Sequence, residues 1–192
     1  MAKCVFCSKK AKRSCPALQQ EICPFCCGSK RGNEIECTLD CSIYKKGILK
    51  DNEKAVMKRA RASFNNEYDD LFKRQGIPET AGPLEEFIFI NYYRDFRVDD
   101  NDILNCYIKI YYLLQGQDHL YILDDYEVDI FKKFIDVARE NNVPPRLQQG
   151  IILRLIKSIE QVSGGKFGCR NYLEMLRGML TKTGRMAELF KD

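Results

Sequence analysis

The chain has 192 residues, 45% hydrophobic and 30% charged, with 31 Lys and Arg against 27 Asp and Glu for a formal charge of +4. That length suits one ordinary globular domain with a small appendage, and no apolar run approaches the roughly 18 residues that a membrane-spanning helix requires. The basic N-terminus, MAKCVFCSKKAKRSC, is not followed by the apolar stretch of a secretory signal, so a cytoplasmic, reducing compartment is expected.

Eight of the ten cysteines fall in the first 41 residues: Cys4, Cys7, Cys15, Cys23, Cys26, Cys27, Cys37 and Cys41. In a reducing compartment such density reads as metal binding rather than a disulfide framework. CVFC and CPFC are CxxC pairs that can each grip one tetrahedral Zn²⁺ from a single turn, and CTLDC places Cys37 and Cys41 so that they could do so from one helix face. Eight thiolates divide into two four-coordinate sites, so two Zn²⁺ are expected. Cys26 and Cys27 are adjacent, their side chains diverge, and the two sites should therefore interleave in sequence. Two partitions remain open. One sets Cys23, Cys26, Cys37 and Cys41 around one ion and Cys4, Cys7, Cys15 and Cys27 around the other; the second sets Cys4, Cys7, Cys23 and Cys27 against Cys15, Cys26, Cys37 and Cys41.

The run AKRSCPALQQEICPFCCGSKRGNEIECTLDC resembles a cysteine-rich N-terminal motif of uncharacterised bacterial proteins, in which RxCPA, ICxxCCGxxR and IxCxxDC recur in this order. The resemblance covers about 40 of the 192 residues, implies zinc binding and supplies no activity. More loosely, the interleaved pairs are similar to HIT-type and MYND-type fingers, which bind two zincs and mostly contact other proteins. Those families use at least one histidine ligand, which residues 1–44 lack.

Charge must be corrected for the metal. Each tetrathiolate zinc site carries two net negative charges, so two such sites bring the whole chain to about zero. What survives is local: residues 42–75 hold nine basic against five acidic residues. Lys45, Lys46, Lys50, Lys54, Lys58 and Arg61 make this junction a candidate contact for a macromolecule, as do Arg13, Lys30 and Arg31 among the cysteines, although Arg13 and Arg31 read rather as cations that screen the thiolates.

Beyond the cysteine-rich module (residues 1–44, with Pro24, Gly28 and Gly32 in its turns), residues 45–192 read as an all-α domain. A helix is predicted from near Asp51 to just before Gly76, with Val56, Ala60, Phe64, Tyr68, Leu71 and Phe72 as its apolar stripe. Pro83 is placed as a first-turn proline of the next helix, PLEEFIFINYYRDF. Further helices are expected over Asn101 to Gln115, after an Asp124–Glu127 capping box, from Pro144 and Pro145 to Gly164, and from near Arg170. HLYIL at 119–123 is the one candidate strand. The acidic clusters Asp99, Asp100, Asp102 and Asp124, Asp125, Glu127 read as helix starts.

Cys106 and Cys169 lie in apolar helical patterns and are expected to be buried structural thiols. His119, the only histidine, is expected in a loop rather than on a metal. No GxSxG, HExxH, P-loop or GxGxxG sequence is present, and closed Cys₄ zinc sites are structural. The expectation is a non-enzymatic zinc-binding protein with a small N-terminal zinc module on an all-α bundle, acting through a protein partner. A DNA- or RNA-binding regulator and a thiol-redox enzyme working through a CxxC pair are the alternatives.

Overall fold

The computed structural model describes residues 2–63, 75–165 and 168–182. Seven helices and one two-stranded sheet build them: β1 (Arg13–Cys15), β2 (Gln20–Ile22), α1 (Pro24–Lys30), α2 (Ser42–Ser63), α3 (Pro78–Tyr92), α4 (Asp100–Leu113), α5 (Asp125–Glu140), α6 (Pro145–Ser163) and α7 (Asn171–Lys182). The chain divides into two compact units, Met1–Lys54 and Ala55–Asp192.

The first unit is a chain of tight turns around a short antiparallel hairpin, in which Arg13 pairs with Ile22 and Cys15 with Gln20. Val5 N donates to Glu21 O at 3.0 Å and so ties the N-terminal CVFC knuckle to it, while Lys12 N to Ile22 O at 3.3 Å prolongs the hairpin pairing and Ala11 N to Ala2 O at 3.0 Å closes the segment around the knuckle. The core consists of five buried cysteines with Ile22 and Ile35, and Cys7, Leu18 and Cys37 pack against it. Neither the hairpin nor α1 was expected from the sequence. Pro24 and Gly28 lie inside α1 rather than in turns, because Pro24 takes the first helical turn and Cys23 caps it by accepting from Cys26 N. Gly32 does occupy a turn, at φ 74°.

In the second unit, α4 packs against α5, α6 and α7, while α3 packs against α5 and α7. Ile103, Tyr107 and Ile110 of α4, Leu84 and Ile88 of α3, Phe134 of α5, Ile152 and Ile156 of α6 and Tyr172 of α7 are fully buried there. Val56 and Ala60 of α2 are buried as the stripe requires, whereas Phe64, Tyr68, Leu71 and Phe72 lie outside the described residues. The acidic clusters do start helices. Asp99 accepts from Asn101 N and Asp102 N while Asp102 bonds back to Asp99 N, and Asp124 with Glu127 forms the second capping box. Gly164 ends α6 in the left-handed conformation, at φ 59°.

Three expectations are corrected. Helix α2 begins at Ser42, nine residues before Asp51, because the segment after Cys41 is already helical. Helix α3 begins at Pro78, so Pro83 lies inside it. The Glu79 carbonyl, which Pro83 has no N–H to satisfy, accepts instead from the Asn141 side-chain amide at 3.1 Å. Residues 119–123 form a turn and an irregular stretch rather than a strand, as Leu120 N bonds to Gln117 O at 3.1 Å.

Candidate metal centre

Cys4, Cys7, Cys23 and Cys26 bring their sulfurs within 4.8 Å of one another, and among the described residues this is the one set of metal-ligating side chains that converges so closely. Zn–S bonds of about 2.3 Å in a tetrahedron put the sulfurs about 3.8 Å apart. The Cys7 and Cys23 sulfurs are 3.7 Å apart, so the set already has the scale of such a site.

Local structure explains the convergence. Cys4 opens a turn closed by Ser8 N donating to Cys4 O at 2.9 Å and Cys4 N to Lys9 O at 2.8 Å, with Ser8 at φ 56°. Cys23 caps α1, and Cys26, one turn into that helix, donates its backbone N–H to the Cys23 sulfur at 3.4 Å. The Val5–Glu21 hydrogen bond then lays the first knuckle beside the second. Cys4, Cys23 and Cys26 are buried and Cys7 is partly buried, so the site is closed.

Proton affinities in the cluster are spread. Burial opposes ionisation of Cys4, yet backbone N–H groups of Cys23, Phe6 and Cys7 together outweigh it and hold the thiol down at about 6. The Cys26 N–H likewise lowers Cys23. Cys26 is pushed up to about 12, first by burial and then by hydrogen bonding with Cys7, Cys23 and Cys4. Four sulfurs this close cannot all be thiolates on their own. A divalent cation would supply the missing positive charge and displace the protons.

This grouping corrects both partitions read from the sequence. The first separated the two knuckles and the second put Cys27 in place of Cys26. In α1, neighbouring residues lie about 100° apart around the axis, so Cys26 faces Cys23 and Cys27 turns away. A usable signal existed in the repeat of the knuckle itself, since CVFC and CPFC share Phe before the second cysteine. The segment 36–41 is irregular, so Cys37 and Cys41 do not share a helix face.

The other four cysteines, Cys15, Cys27, Cys37 and Cys41, line one small cavity together with Arg13 and Arg31. Arg13 donates to the Cys27 sulfur at 3.7 Å. Lys30 pairs with Glu34 and lies over the Phe6 ring, with Nζ 4.7 Å from its centroid. In α2, Lys46, Lys50 and Lys54 are exposed at four-residue spacing and Lys45 is partly buried. In the second unit Lys58 is exposed and Arg61 is engaged by Glu160.

Cys106 is fully buried and its thiol is raised well above the ordinary range by burial. Cys169 is only partly buried, and its sulfur donates to Asp100 Oδ2 at 3.3 Å. His119 is exposed beside Asp118. Among the described residues, no helix is long and apolar enough to cross a membrane.

No family model matches the chain, and no significant match was found among curated proteins or solved structures.

Proposed function

We propose that the chain is a non-enzymatic, zinc-stabilised interaction protein of a reducing, cytoplasmic compartment, holding two Zn²⁺ and using its N-terminal module to bind another protein. The convergence of four thiols at tetrahedral scale supports zinc at Cys4, Cys7, Cys23 and Cys26, since an all-sulfur tetrahedral set suits Zn²⁺ and leaves no coordination position open for catalysis.

The observation that carries a protein partner is the exposure of apolar side chains between the ligands. Phe25, between Cys23 and Cys26, is 79% exposed, and Phe6, between Cys4 and Cys7, is 39% exposed, with Val5 and Leu39 also exposed. Aromatic groups held on a rigid metal knuckle are the kind of anchor that dominates protein interfaces. Affinity capture on the metal-loaded protein, compared with Phe25→Ser and Phe6→Ser, tests this. A nuclease-resistant partner retained by the wild type and lost by both variants is expected. Equal capture by all three forms would refute it.

The exposed lysines of α2 favour a second reading, a DNA- or RNA-binding regulator. Three phosphate contacts through Lys46, Lys50 and Lys54 would give a log–log salt slope of about 3. Binding of this kind would be abolished by changing those lysines and untouched by changing Phe25.

A further inference from the structure

We infer that Cys15, Cys27, Cys37 and Cys41 form a second, separate tetrathiolate metal site whose charge is balanced by Arg13 and Arg31. This assignment rests on the reading of the module as zinc-built and specifies the ligands of its second ion.

Three features of the first unit meet at this place: the lining of one cavity, the phase of α1 and charge. The four sulfur-bearing residues come from β1, from α1, from the irregular segment 36–41 and from the residue before α2, yet they border one cavity of about 10 Å³, room for a single water-sized body. Cys15 and Cys27 are buried and Cys37 and Cys41 partly buried, so these are inward-facing groups. The helical offset that turns Cys26 toward the first cluster turns Cys27 into this one.

Charge is the third feature. Four thiolates around a divalent ion leave two net negative charges. Two guanidiniums line the same cavity, and among the described residues neither Arg13 nor Arg31 forms an ion pair with a carboxylate. Arg13 already points a donor at the Cys27 sulfur. Arg31 lies against α2 where residue 47 is glycine, and a Cβ there would collide with its Nη1. With a bound ion the count closes, and the donors serve as hydrogen-bonding partners of sulfur.

The ligands of the two sites interleave along the chain, since Cys15 lies between Cys7 and Cys23, so the loops that the two ions close cross one another. Cys37 is held by a turn, Cys37 N to Ile35 O at 2.9 Å, and Cys41 by Cys41 N to Thr38 O at 3.1 Å and by Lys45 N donating to Cys41 O at 2.9 Å. A metal would fix this arm to the hairpin. Because Cys41 directly precedes Ser42, the same ion would anchor the first turn of α2.

The test counts ions on the full chain by native mass spectrometry and follows the tetrathiolate absorption after Co²⁺ replacement. The wild type is expected to take up two ions. Cys27→Ser and Cys41→Ser should each lose one and keep the other, and Cys26→Ser and Cys7→Ser should lose the opposite one, so that combining Cys41→Ser with Cys7→Ser leaves none. Arg13→Gln, which keeps all eight thiols, should weaken one ion by about 10- to 100-fold in chelator competition and leave the other unchanged. A wild type that binds one ion, unaffected by Cys41→Ser and lost in Cys7→Ser, would overturn the second site while leaving the first standing. A wild type that binds none would overturn both. Loss of both ions from Cys41→Ser alone would overturn separate sites, and unchanged affinity in Arg13→Gln would overturn the charge-balancing role of that arginine.

Discussion

Stripping the metal with a strong chelator should unfold the first unit and leave most of the helical signal in place. Apart from cysteines, the described residues of the first unit bury only Ala11, Ile22 and Ile35 among the hydrophobic ones. Two buried isoleucines stabilise by about 3–6 kcal/mol in all, whereas a structural zinc contributes about 10–16 kcal/mol in peptides of this kind. The metal term therefore decides whether residues 2–44 are folded. The second unit has its own core of fully buried side chains from α3 to α7 and needs no ion. Helix α1 has 7 residues, against 22, 15, 14, 16, 19 and 12 in the other six, so its loss should lower the helical circular dichroism by less than about a tenth. Fraying of α2 as far as Lys54 would raise the loss to about a fifth. Hydrogen exchange with and without chelator should show protection lost over residues 2–44 and kept in α4 and α6. Loss of more than half the helical signal would refute the independence of the second core. Unchanged protection in the first unit would refute the metal as its source of stability.

Two further outcomes concern the second unit. Burial raises the Glu85 carboxyl to about 7, with the Tyr172 hydroxyl that donates to it at 2.8 Å acting in the opposite direction. The folded chain thus keeps a proton that the unfolded chain has lost, and stability should fall as pH rises from the ordinary carboxylate range to about 7, by up to roughly 3 kcal/mol, then level off. Glu85→Gln should remove that slope and be the more stable protein at about pH 8 in urea unfolding; an unchanged slope would assign it to another group. Glu127 is buried and accepts from Lys109 at 2.6 Å and from Asp124 N at 2.8 Å. Lys109→Ala should therefore cost about 3 kcal/mol, because it strands a buried carboxylate, and adding Glu127→Gln should recover most of that loss. A Lys109→Ala protein as stable as the wild type in denaturant titration would contradict this.

Local signals were legible without any structure. The count and spacing of cysteines marked the cysteine-rich module as a candidate metal site, since two thiols two residues apart can present themselves to one ion whatever surrounds them. Apolar periodicity, the capping box at Asp124, the acidic helix start at Asp99 and the glycine at 164 marked the all-α class, because these depend on neighbours within one or two turns. Tertiary structure decided what chain order leaves open. Which four thiols converge depended on the phase of α1, a helix too short to announce itself by periodicity, and on a three-residue hairpin that lays one knuckle against the other. Pro83 sits within α3, and Asn141, 62 residues away in sequence from Glu79, takes the carbonyl that the proline leaves free. Arg13 and Arg31 read from the sequence as partners of sulfur rather than phosphate contacts, and the fold places both on a cavity lined by cysteines. In each case the deciding partner is distant along the chain, and only the folded backbone sets which distant groups meet.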